Sequence, residues 1–346
     1  MQALPFALFL VMLELAAGSF ISLYVLDLRG DSSRNFLIFQ GVLYVLFAGL
    51  TVLAMNAFAS PANARGLGLD DAWLNAQGPL TLAFSALTIP WNLLLWLDRS
   101  PRNAIDAKTM KAKAAKAAED GEKPRAVELI PTTRTVRLRQ ARFILGGATV
   151  ALGLVTLIVV GMAYRTLASS RLDGFFVVAS FVVGALALGG VMTAMLLGHW
   201  YLNTPTASGK PLEFVTILML VTLALELFFS LLIGPSTAHP TLQATSVQPG
   251  TTIQTGNGNV KVSTPTAVPT RTVSGPVPQG EQQTIQRQAP LTTGAMVWLQ
   301  IILGFISPLI LGAVALYLTR GRSFQSATGM LYLCVSFVFI GEILAR

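Results

Sequence analysis

Polar and apolar residues hardly alternate along this chain; the apolar ones come in long runs. Eight such runs lie at about 4–27, 36–58, 77–97, 142–164, 174–197, 212–233, 293–318 and 325–344. A helix needs roughly 20 residues to cross the hydrocarbon layer of a bilayer, and each run is that long or nearly so. The pattern predicts an all-α integral membrane protein with eight transmembrane helices. The first run is read as a retained helix rather than a signal peptide. It has no basic leader, and it is longer than the apolar core of roughly 7–15 residues that signal peptides carry.

Composition sharpens this through what is scarce. The chain is 53% hydrophobic, which is ordinary, but only 12% charged. Soluble domains carry about a quarter charged residues. The net charge of +8 does not point to nucleic acid, because twelve of the 24 Lys and Arg fall in one stretch, 98–142, which includes Lys108, Lys111, Lys113, Lys116, Arg134, Arg137, Arg139 and Arg142. The positive-inside bias makes that stretch cytoplasmic and puts both termini outside. Arg29, Arg34, Lys210, Arg320 and Arg322 then also fall inside, so that side holds most of the basic residues. The expected location is a bacterial inner membrane.

Two long polar segments divide the helices into groups of three, three and two. The inner one, 98–141, has helix formers at 107–119 followed by the breakers Gly121 and Pro124. It reads as a solvated basic loop with a short surface helix. The outer one, 234–292, is rich in Thr, Pro, Gln, Ser and Gly and has few aliphatic residues. It is expected to be largely disordered. His239 lies there beside Pro240 and reads as a surface residue.

Ionisable groups at hydrocarbon depth are costly, so each asks for a reason. Glu14 falls near the middle of the first run and Glu226 near the middle of the sixth. Either can relay protons or hydrogen-bond the oxygen of an apolar carrier; equally, a neutral carboxyl can simply tie two helices together. Asp27 and Glu213 fall close to the inner surface, where snorkelling or capping accounts for them. Glu342 falls near the outer surface with Arg346 four residues on, a spacing suited to a local ion pair. His199 opens the segment HWYLNTP, whose Trp200 and Tyr201 suit an interfacial aromatic belt and whose Pro205 ends the helix. At that depth the imidazole can meet a headgroup, bridge to Glu213, or titrate near neutrality.

Gly18, Gly184 and Gly189 place small residues on helix faces, where another helix or a flat ring can come close. Pro90 and Pro308 interrupt the third and seventh runs and are expected to bend them. Cys334, the only cysteine, lies inside the last run and reads as a packing residue. The chain lacks the paired intramembrane histidines of a haem site, a cysteine cluster for iron–sulfur, and any zinc or nucleotide motif, so no metal, haem or iron–sulfur cluster is expected on it.

The first and last helices carry a resemblance. FLVMLELAAGSFISLYVLD is similar to the first helix of the membrane-anchor subunits of dimethyl sulfoxide and polysulfide reductases, the NrfD-like family. SFVFIGEILAR resembles that family's late Gly-Glu-x-x-x-Arg pattern at Gly341, Glu342 and Arg346. The resemblance implies a haem-free subunit that binds quinone or quinol toward the outer face and docks an iron–sulfur partner of a catalytic oxidoreductase. It also implies that Glu342 helps bind quinone or move its protons. The resulting expectation is a respiratory oxidoreductase anchor with Glu14, Glu226, Glu342 and His199 as quinone or proton-relay residues. The alternatives are a secondary transporter using the intramembrane carboxyls, and a non-catalytic membrane scaffold.

Overall fold

The structure, a computed structural model, describes residues 3–59, 69–98, 133–167, 171–204, 208–233 and 297–345. They hold eight helices long and apolar enough to cross a membrane. In chain order these are α1 (Ala3–Arg29), α2 (Arg34–Phe58), α3 (Asp71–Leu97), α4 (Thr133–Tyr164), α5 (Arg171–Asn203), α6 (Lys210–Ile233), α7 (Val297–Arg320) and α8 (Phe324–Ala345). The protein is an all-α, multi-pass membrane protein. Most of the two long polar segments, with His239, Pro205 and Arg346, lies outside the described residues.

Several helices outrun their apolar runs, and the reason is the same each time. An apolar run measures the hydrocarbon layer, whereas a helix continues into the headgroup region until a cap or breaker stops it. Thus α3 starts at Asp71 rather than near 77, because the Asp70 carboxylate accepts a hydrogen bond from the Ala72 N–H at 3.1 Å and caps the first turn. Likewise α4 begins at Thr133, inside the basic stretch, and α5 runs on to Asn203, taking in His199, Trp200 and Tyr201. Every helix end that carries Arg29, Arg34, Arg137, Arg139, Lys210 or Arg320 belongs to the same side of the bundle, here called the basic rim.

Helix α1 is the axis of the fold. Its span is 83% buried within the protein, and it packs against α2, α4, α5 and α8. The other helices show one buried stripe each; on α6 it is Leu212, Val215, Met219, Leu223 and Glu226, and on α8 it is Ala327, Leu331, Cys334, Val338 and Glu342. The opposite faces carry Leu46, Leu53, Ile144, Phe228 and Ile310, all exposed as acyl chains would require. Lipid is as apolar as leucine, so helix association here rests on close packing and hydrogen bonds rather than hydrophobic burial.

Glycines provide the closest approaches. A Cβ on Gly18 of α1 would run into the carbonyl of Ala185 on α5, and one on Gly189 would run into the backbone of Gly18 and Ser19. The small residues therefore seat a helix, not a ring. Gly304 of α7 and Gly341 of α8 meet in the same way.

The two interrupting prolines are absorbed differently. Helix α3 continues through Pro79 and Pro90. In α7 the turn before Pro308 widens into a π-helix, Gln300–Ile306, because proline displaces the carbonyl four residues behind it. The amide and hydroxyl of Ser307 both donate to the Ile302 carbonyl, the hydroxyl at 2.8 Å, so the widened turn stays hydrogen-bonded.

Candidate functional site

The three glutamates singled out from the sequence are all buried, Glu14 at 0% and Glu226 and Glu342 at 3% exposure. Each stands on the inward stripe of its helix. Glu14 is fifteen residues from Arg29, Glu226 sixteen from Lys210 and Glu342 eighteen from Phe324. At 1.5 Å per residue they lie roughly 22–27 Å from those rim-side residues, Glu14 and Glu226 around the middle of their apolar runs and Glu342 close to the far end of its own. Their three helices all pack on α5. At that depth α5 presents the buried Ala185, Ala187 and Leu188. Beside Glu342, the Gly304–Gly341 contact brings the π-helical turn of α7 against α8. Among the described residues no three His, Cys, Asp or Glu side chains are grouped closely enough to hold a metal ion. The acids thus share a neighbouring helix without forming one compact cluster.

His199 sits apart from them, exposed at the rim. Its Nδ1 lies 3.2 Å from the Tyr332 hydroxyl of α8, with the two rings edge to face. The bridge to Glu213 that the sequence suggested is not formed. Glu213 instead accepts from Arg320 Nε at 2.7 Å, a contact that ties α6 to α7 on the surface. Such exposed pairs contribute little. Glu213→Gln is accordingly expected to shift thermal unfolding in detergent by less than about 1 kcal/mol, and less still in high salt. Trp200 stacks on Phe39 and meets Phe36 edge to face, both on α2, and Tyr201 is buried, its hydroxyl donating to the Ser208 carbonyl at 2.7 Å.

Two constellations escaped the sequence reading. The first is ionic. Asp27 is not a snorkelling or capping residue; its side chain is fully buried, and one of its oxygens lies 3.1 Å from Arg142 Nε. Arg142 Nη1 donates to Asp98 at 2.6 Å. Asp98 ends α3, Asp27 lies near the end of α1, and Arg142 marks the point where α4 enters the layer. One guanidinium fork therefore clamps three helices at the rim. The sequence did hold a signal: Arg142 opens the fourth apolar run, Asp27 closes the first and Asp98 follows the third. Linear distance hid the association.

The second is neutral. Gln40 Nε2 donates to the Tyr44 hydroxyl at 2.5 Å, and that hydroxyl shares a hydrogen bond of 2.7 Å with Thr193 of α5. Gln40, Tyr44 and Thr193 are all buried, and Ser19 of α1 borders the same hydroxyl. Three helices meet around one phenol. Further single links join α2 to α1 through Thr51 and the Met12 carbonyl (3.0 Å), α3 to α2 through Ser85 and the Ala48 carbonyl (3.1 Å), and α1 to α4 through Tyr24 and the Phe143 carbonyl (2.9 Å).

No family model and no curated protein matches the chain. The functional reading therefore rests on the residues themselves.

Proposed function

We propose that this chain is a haem-free membrane subunit of a respiratory oxidoreductase that binds quinone or quinol among its helices and docks an iron–sulfur partner. The observation that carries the reading is the placement of Glu14, Glu226 and Glu342: three buried carboxyls within the apolar runs, the first two near mid-run and Glu342 toward the end away from the basic rim, on helices that share α5 as neighbour. Carboxyl groups kept at such depth are costly and call for a use. A quinone headgroup offers two oxygens that gain or lose protons as it is reduced or oxidised, and carboxyls are suited to supply or take them. The similarity of Gly341 and Glu342 to the NrfD-like pattern favours the same role for Glu342. On this reading the chain supplies apolar walls, proton-exchanging groups and docking surface, and the electron-carrying centres belong to the partner.

The experiment is quinone retention. Protein purified in mild detergent should yield quinone on solvent extraction, and Glu342→Gln or Glu14→Gln should weaken retention by roughly tenfold, a change of about 1.4 kcal/mol. Failure of either variant to change retention, with quinone present, would remove that residue from the site. Solute uptake into liposomes, abolished by Glu14→Gln and without bound quinone, would overturn the reading in favour of a transporter.

A further inference from the structure

The π-helical turn of α7 leaves one of its carbonyls without a helical partner. In an α-helix the Leu303 carbonyl accepts from the amide four residues on, that of Ser307; in a π-helix it accepts from the fifth, that of residue 308. Here the Ser307 amide donates to Ile302, and residue 308 is proline, which has no N–H. Neither helical donor remains for Leu303. The Ser307 hydroxyl does not replace them, because it too donates to Ile302. A backbone carbonyl deprived of its bond is costly in hydrocarbon, and such breaks in a membrane helix persist where protein or ligand takes the bond up.

The turn packs on α8 and α6, the helices of Glu342 and Glu226. The Gly304 nitrogen, to which the Leu303 carbonyl carbon is bonded, lies 3.2 Å from where a Cβ on Gly341 would stand. Glu342 is the next residue of α8 and is buried. Carbonyls point toward the C-terminal end of their helix, and side chains tilt toward the N-terminal end of theirs. Helices α7 and α8 run antiparallel, so the Leu303 carbonyl and the Glu342 side chain both lean toward the basic rim. Nearer that rim the helices meet again, where the Cys334 thiol donates to the Pro308 carbonyl at 3.7 Å. We propose that the Leu303 carbonyl and Glu342 form a two-point site for a hydroquinone hydroxyl, and that the carbonyl makes the site prefer the reduced carrier to the oxidised one. A backbone carbonyl only accepts hydrogen bonds. A hydroquinone has an O–H to offer it; a quinone has two acceptor oxygens and none. Glu342 does not discriminate in this way, because a neutral carboxyl donates to a quinone oxygen and accepts from a hydroxyl. The preference therefore resides in the turn.

This inference rests on the quinone reading of Glu342, and its test separates the two. The full chain in lipid nanodiscs is titrated without oxygen with a short-chain hydroquinone, and separately with the oxidised form. Binding is read by calorimetry against empty nanodiscs. The hydroquinone should bind roughly tenfold tighter, the upper end of what one net hydrogen bond supplies. Pro308→Ala returns an amide at position 308, so Leu303 regains a donor whether the turn stays π or reverts to α. That variant should lose the preference and keep the native affinity for the quinone; its thermal unfolding shows that it is folded, as alanine in a helix allows. Glu342→Gln should weaken both forms and keep the preference. Equal affinity for the two forms in the native chain, a comparison that needs no variant, would overturn the inference and leave the quinone reading standing. A native preference in folded Pro308→Ala would overturn the role of Leu303, and so would loss of the preference in Glu342→Gln. Binding of neither form would refute the quinone reading and this inference with it.

Discussion

Replacing Arg142 with methionine is expected to cost about 3–5 kcal/mol of stability, the scale of breaking a buried ion pair by removing one partner. Methionine comes close to the arginine stem in volume, so the loss does not come from a hole. It comes from taking the guanidinium away from Asp27 and Asp98, whose side chains are 0% and 3% exposed. Arg142→Lys should recover only part of the loss. A lysine is a point donor on a flexible stem and cannot present the two separate nitrogens that reach Asp27 and Asp98. The triple variant Arg142→Met, Asp27→Asn, Asp98→Asn should be markedly more stable than Arg142→Met alone, because it removes the stranded charges along with their partner. Thermal unfolding in a single detergent, with the four proteins side by side, measures this. Native stability in Arg142→Met would show that the clamp does not hold α1, α3 and α4 together.

Gly18→Leu is expected to abolish folding rather than weaken it. The first atom of any side chain at Gly18 overlaps the Ala185 carbonyl, which is backbone and cannot rotate away. The helix pair must separate, and α1 is the helix around which the others pack. Gly18→Ala adds only that first atom, yet it should already cost about 1–3 kcal/mol or more, as overpacking of a tight core does. The matched control is Gly49→Ala on α2, where an added Cβ meets nothing within 4 Å. That change should be neutral or stabilising by up to about 1 kcal/mol through helix propensity. Yield of monodisperse protein after detergent extraction separates the cases. Similar yields for Gly18→Leu and Gly49→Ala would contradict the packing described.

Much of the fold was legible in the chain because the bilayer imposes a length. The runs that predicted eight helices are the eight helices found. The boundaries moved because hydropathy reports where lipid begins, not where hydrogen bonding stops; Asp71 and the basic start of α4 are polar and helical at once. The small-residue faces were legible too, and Gly18 and Gly189 turn out to face the same crossing. The burial of Glu14, Glu226 and Glu342 agrees with their position in the runs, since a charge-bearing group at that depth turns toward protein. The Asp27–Arg142–Asp98 clamp and the Tyr44 junction were hidden because each needs three helices brought side by side. Nothing in linear spacing links residue 27 to 142, or 44 to 193. Arg142 was masked further by its neighbours, which made it look like one more charge in a basic loop.

The central claim is that the buried carboxyls serve quinone chemistry in a complex whose redox centres lie on another chain. Native mass spectrometry of the protein, gently solubilised from its own membrane, tests this most directly. The expected spectrum shows the chain together with an iron–sulfur protein and releases a quinone mass on activation. A spectrum of the chain alone, without partner or quinone, would contradict it.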